Sequence, residues 1–397
     1  MHFQNTLTTA LLFLASMGSR TFAAPHHKHR HTPKAVYFMT NTSPNNAIIP
    51  IPVSSNGTLH APGPAVLTGG HGSRGVVAAT NRTAGPDALF SQGAIRVVDN
   101  YLFAVNAGSN TLSLFQIDPS NPTHLTLLGA PVSTYGEFPV SVAYSRSLRL
   151  ACVANAGRAN SVACFEVSAD GVLKNVGVKG LGLAQTTPPR GPPSTVSDIL
   201  FVGEEGDQRL VVTIKGVRTG AMRSFPCARG NCDLERETAT APMGAGALFG
   251  ISPIRSDTIV VADPSVGAAT IRFQQGPMST ISTTITNITG QVATCWSAYS
   301  SDTRTVFVTD AAVNRIVEIN YSGKVGTIVE LKNGNAGNTD VVAADGGWLY
   351  ALSARIGGAA VVVVDVETMR EVQTLRVPEA GVESMGMQVW PAQSVGF

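Results

Sequence analysis

Along the chain an aliphatic run, a small or polar corner and a second, alternating run recur as one phrase. The copies read VYFMTNTSPNNAIIPIPV from Val36, LFAVNAGSNTLSLFQID from Leu102, LACVANAGRANSVACFEV from Leu150, LVVTIKGVRTGAMRSFPC from Leu210, IVVADPSVGAATIRF from Ile259, VFVTDAAVNRIVEI from Val306 and LYALSARIGGAAVVVVDV from Leu349. Each is a β-hairpin in pattern, two strand-like runs around a tight corner. The corners fall at Asn41, Asn106, Asn155, Lys215, Asp263, Asp310 and Ser353, 43 to 65 residues apart. That spacing accommodates one four-stranded sheet per repeat and predicts an all-β, seven-bladed propeller.

A second set of segments predicts how the ring closes. GAIRVVDN, PVSVAYSRS, TVSDILFVGEEGD, ALFGISPIRSD, ATCWSAYSSD and TDVVAADGG stand before the second to seventh phrases, each a short apolar strand and a turn. The first phrase has no such partner. The missing strand appears at the far end as ESMGMQVWP from Glu383, so the C-terminal strand is expected to complete the first blade and remove the open sheet edges. Residues 35–391 then form a single propeller domain, a size that radial repetition permits.

Composition agrees with many short strands joined by turns: 44% of residues are hydrophobic, 14% charged, and 40 are glycine. The net charge of +2, with no basic cluster in the body, argues against nucleic acid as a partner. At the N-terminus, ALLFLASMG from Ala10 is followed by small residues up to Ala24, which predicts a signal peptide over 1–24 and a His-rich flexible segment over 25–34. No later run reaches the ~18 apolar residues of a membrane span, so a soluble protein of the secretory route is expected. Sequons at Asn41, Asn56, Asn81, Asn287 and Asn320 fit that compartment as glycosylation sites.

Cysteine placement points the same way. Cys227 and Cys232 bracket the short turn CARGNC, and Cys152 faces Cys164 across the third hairpin if Ala154 pairs with Val162. Both pairs are expected as disulfides, with Cys295 left over; the alternative is five buried thiols acting as small hydrophobes.

The remaining chemistry is sparse. His26, His27, His29 and His31 lack the carboxylate or cysteine framework of a metal site and read as a processed end. GGHGSRG, from Gly69, lacks the Gly-Lys-Ser/Thr of a phosphate cradle, and no inner strand carries a histidine for a Ser/His/Asp arrangement. No metal, nucleotide or redox cofactor is implied. The long connection from Pro62 to Gln92, ending in AGPDALFSQG, is of a length that signals a functional or disordered loop. Corner loops offer Arg158, Lys215, Arg218 and Arg355, of which Lys215 is the odd one, since every other corner residue is Asn, Asp or Ser. Phe249, Trp296 and Met387 on the inner strands are either core or an apolar wall at the channel mouth.

The corner phrases, above all LFAVNAGSNTLSLFQID and LACVANAGRANSVACFEV, resemble the lactonase-type seven-bladed propellers, the group of carboxymuconate cyclases and phosphogluconolactonases, over roughly Lys34 to Pro391. With its leader, its sequons and AGPDALFSQG the chain is most similar to the secreted fungal, carboxymuconate cyclase-like branch. Some members of that branch are hetero-Diels–Alderases that join a tropolone quinone methide to a humulene-type sesquiterpene. The resemblance leaves three readings open. In the first, a cofactor-free cyclase holds an acidic tropolone-like partner on Lys215 or Arg218, with Arg158 and Arg355 nearby, and stacks an apolar terpenoid on Phe249, Trp296 and Met387. The second is a carboxymuconate-type cycloisomerase or lactonase. Against it stands the absence of the family's channel histidine, since Pro139 and Val140 stand where the inner strand of blade three begins. The third is a secreted surface or binding protein without catalysis.

Overall fold

A computed structural model describes residues 32–216, 219–274, 280–332, 334, 337–354 and 358–393. Seven sheets follow one another along the chain, each built outward from an inner strand. The inner strands are Ile95–Val98, Pro139–Ser145, Val196–Glu204, Ile251–Arg255, Thr294–Ser300 and Asn338–Ala344 for blades two to seven, and Met385–Trp390 for blade one. The chain is an all-β, seven-bladed propeller.

The middle strands explain the aliphatic phrases. Leu150–Asn155 is buried at every position, because both faces of a blade pack against neighbouring blades and no face is left for polar residues. The outer strand Leu173–Gly180 returns to an alternating pattern where one side meets solvent. Four inner strands carry an extra residue near their start: Val140, Ser197, Cys295 and Thr339 have no partner opposite them, while the residues on either side do. A bulge of this kind bends the strand and re-aims the next side chain.

Closure is as the pattern predicts. Ala35 pairs with Trp390, Val36 with Val389 and Tyr37 with Gln388, so the first and last of the described strands share blade one. Lys34 N–H donates to Trp390 O at 2.7 Å, and Gln388 carries the ring onward by accepting Val97 N–H at 3.3 Å. In blade three Ala154 does pair with Val162 and Cys152 with Cys164. Disulfides join Cys152 to Cys164 and Cys227 to Cys232, while Cys295 is free and buried.

The long connection between blades one and two is ordered. It folds back over the face that carries the corners, where Val76–Val77 pairs with Arg82–Thr83 and, in parallel, with Arg190–Gly191. The Phe90 ring lies between Gly75 and Gly191; a Cβ at either glycine would stand 2.5 Å from it, so only glycine fits there.

Candidate functional site

Most corner residues fasten their own blade. Asp263 accepts the N–H groups of Gly246 and Ala247 at 2.8 and 3.0 Å, and Asp310 those of Val292 and Ala293 at 3.0 and 2.9 Å. Asn155 instead donates to Thr134 O at 3.1 Å. Each holds the loop that leads into the inner strand. Lys215 breaks the series because its neighbour is different. The segment AGPDALFSQG, residues 84–93, descends into the corner end of the central channel, and Lys215 Nζ donates to Phe90 O at 2.5 Å, to Ser197 Oγ at 2.8 Å and to Val196 O at 3.2 Å. These partners are oxygens that can accept, so this corner needs a donor.

The rest of the plug is held as tightly. Ser91 Oγ donates to Val140 O at 2.8 Å, Trp296 Nε1 donates to Ser91 O at 3.0 Å, and Gln92 N–H donates to Ser197 O at 3.0 Å. The Gln92 side chain exchanges two hydrogen bonds with the main chain of Ser297, at 2.8 and 2.9 Å. Beneath the plug the Lys215 ammonium lies 4.4 Å from the Phe249 ring centroid, and Phe249 meets Trp296 edge-on at 5.1 Å. Burial pulls the Lys215 pKa from 10.5 down to about 7, with the charge of Asp87 as the main offset. Burial likewise lifts Asp87 from 3.8 to about 7 against the opposing pull of Lys215.

This geometry corrects the open-mouth expectation for Lys215, Phe249 and Trp296. Lys215 is 2% exposed and the two rings 1% each, so none faces an open channel. Met387 is core, in the cluster of Val36, Phe38 and Tyr350 where blades one and seven meet. Arg158 is exposed on the corner face, its main-chain N–H on Thr187 Oγ1 at 2.8 Å. Arg218 and Arg355 lie outside the described residues. Among the sequons, Asn56, Asn81 and Asn287 are exposed and Asn320 is half-buried. Asn41 is buried, with Nδ2 donating to Ser73 O at 2.8 Å.

The channel is open at the opposite face. A cavity of about 900 Å³ runs from Gln92 at the plug to the hairpins that join first and second strands, whose Asp99, Arg146 and Glu205 form the rim. Arg96, on the inner strand of blade two, lines it and is half-buried. Its Nε donates to Val142 O at 3.3 Å, and neither terminal nitrogen has a hydrogen-bond partner among the described residues. Burial pulls the Arg96 pKa below its usual value, offset by Asp198 and then Asp340. Those carboxyls are themselves buried. Asp198 accepts Ser141 Oγ at 2.9 Å, Ile199 N–H at 2.8 Å and Ile251 N–H at 3.0 Å, tying blades three, four and five together. Burial lifts its pKa to about 6, with Arg96 pulling the other way. Burial pushes the Asp340 carboxyl well above the carboxylate range, and Asp198 adds to the rise while Arg96 opposes it.

Arg96 was not singled out from the sequence, although a signal existed. It is the one Lys or Arg that any of the seven inner strands carries before its last residue.

The solved structures that resemble this chain include a 6-phosphogluconolactonase candidate from Bacteroides uniformis, with 14% identity, 89% of this chain and 99% of that chain covered, and a TM-score of 0.63. The chain shares its propeller fold with this protein. A Lactobacillus plantarum protein has 15% identity, the same coverage of both chains and a TM-score of 0.63. A second 6-phosphogluconolactonase candidate, from Bacteroides fragilis, has 14% identity, 89% and 97% coverage and a TM-score of 0.61. At these identities the likeness is one of fold. No protein-family model matches the chain, and no curated protein matches it.

Proposed function

We propose that the chain is an enzyme that binds a small organic anion in the central channel and forms or opens a lactone. The observation that carries this reading is Arg96, a guanidinium whose terminal N–H groups are unengaged inside a cavity of about 900 Å³. A half-buried cation with free donors is matched by a carboxylate, which the planar fork can hold through two bonds. In the lactonising reaction the carboxylate is the nucleophile, and Arg96 would hold it while a proton moves to the carbon or oxygen that the ring closure leaves charged. Asp198, whose pKa burial lifts to about 6 against the pull of Arg96, would set the charge state of this end of the channel. Arg96→Gln should lower kcat/KM for unsaturated dicarboxylates or their lactones by about 10²-fold, the scale of losing one charge-stabilising donor. A variant with wild-type turnover on a substrate that the enzyme accepts would remove Arg96 from the site.

The cavity volume favours a second reading. About 900 Å³ is near the upper end for small-molecule sites and exceeds what a muconate-sized acid fills. In the hetero-Diels–Alder reading, Arg96 would take the tropolone oxygens, the role expected of Lys215 and Arg218, and the channel wall would orient the sesquiterpene alkene. Cycloadduct formed faster than in buffer, and slowed by Arg96→Gln, would select this reading. Turnover in neither assay, with anion binding retained, would select the binding protein. The leader over 1–24, the sequons and the two disulfides support a secretory location.

A further inference from the structure

Among the described residues the cavity opens at the hairpin face, and its plugged end is unlike its walls. Gln92 is the residue of the plug that lines the cavity, and each end of its amide bonds to the main chain of Ser297, so the end wall presents a ligand with a fixed shape. Arg96 stands beside that wall: a Cβ on Gly93, the residue after Gln92, would lie 3.2 Å from an Arg96 terminal nitrogen and 3.0 Å from Asp198 Oδ1. Towards the mouth the lining changes to half-buried Tyr144, Leu200, Phe201 and Tyr299, then to the charged rim, where Arg146 is already paired with Asp99 at 3.2 Å. The free cation is therefore at the bottom and the apolar surface above it.

From this arrangement we infer that ligands enter from the hairpin face acid first and rest in one orientation, with the anionic group on Arg96 against Gln92 and an apolar body towards the mouth. Gln92 is then a specificity-determining residue. It has no part in the chemistry and limits how much bulk can sit next to the acid. The ligand class is an organic acid with a narrow acidic end and a broader body. The inference rests on the proposed anion site and adds orientation and steric selection to it.

The test is calorimetric binding of straight-chain monocarboxylates, their methyl esters, and isomers branched either beside the carboxylate or at the far end. Wild type should bind the straight-chain acids, bind the esters at least tenfold more weakly, reject branching beside the acid and accept it at the far end. Gln92→Ala should recover the rejected isomers by about tenfold. Phe201→Ala, a wall change away from the plug, should weaken long acids while leaving the shortest unaffected, and it remains informative should the Gln92 variant fold poorly. Equal affinity for the two branched isomers, or equal effects of Phe201→Ala on short and long acids, overturns the orientation. No carboxylate binding to wild type, or binding untouched by Arg96→Gln, overturns the anion site itself.

Discussion

At the scale of single residues the chain separates what a position needs locally from what its surroundings demand. Asn155, Asp263 and Asp310 look like turn residues and act as such, holding a loop each. Lys215 was legible as an anomaly, but its cause lies 125 positions away in the plug, which no local pattern exposes. Its titration has a defined sign. Lys215 falls from 10.5 to about 7 on folding, so between those values the unfolded chain holds the extra proton and stability rises with pH. Asp87 rises from 3.8 to about 7, so across that lower range the folded chain holds the extra proton and stability falls as pH rises. Together they place a minimum near neutrality, made shallower by the water that still reaches half-buried Asp87. The Tm of wild type minus that of the double variant Asp87→Asn, Lys215→Met should dip near pH 7; a flat difference refutes the pairing. Lys215→Met alone leaves three oxygens without their donor and should cost about 1–3 kcal/mol. Glycan mapping tests another residue-scale feature. In secreted material Asn56, Asn81, Asn287 and Asn320 are open to modification, whereas Asn41 should be bare, because a glycan on Nδ2 would displace its bond to Ser73.

Among the elements, the strands were readable and the plug was not. An aliphatic run such as VVVVD, from Val361, announces a strand buried on both faces through composition alone, and pairing then fixes its register. AGPDALFSQG has no period to read, and its path is set by contacts with blades three, four and six rather than by its own propensities. That one unread path moved the accessible mouth of the channel to the opposite face, which is why the aromatic residues expected at the mouth are buried and Arg96 is the residue in reach. The plug should be a cooperative unit that depends on the two glycines around Phe90. Gly191→Ala forces a Cβ into that ring and should cost about 1–3 kcal/mol by overpacking. Hydrogen exchange should show the loss concentrated over residues 84–93, with the blades still protected; loss spread evenly over all seven sheets would mean that the plug is not a separate unit.

For the whole molecule, the count of inner strands sufficed to predict the ring and its closure, since six strands before six phrases and one after the last leave a single arrangement without open edges. Truncation after Ala380 removes the inner strand of blade one and should abolish a single sharp thermal transition, whereas a truncated chain that melts like the intact one would refute the closure. The pairing of Ala35 with Trp390 also has a consequence in time. At roughly 5–20 residues per second a ribosome needs roughly 20–70 s to pass from one strand to the other, and throughout that interval the first blade waits with its innermost edge unfilled. Six blades can stack while synthesis continues, yet the ring cannot shut until the strand Met385–Trp390 has been made. The nascent chain must therefore be kept from pairing with its neighbours while the other six blades are made, so chaperone demand should track the unfilled first edge and end abruptly when Met385–Trp390 arrives.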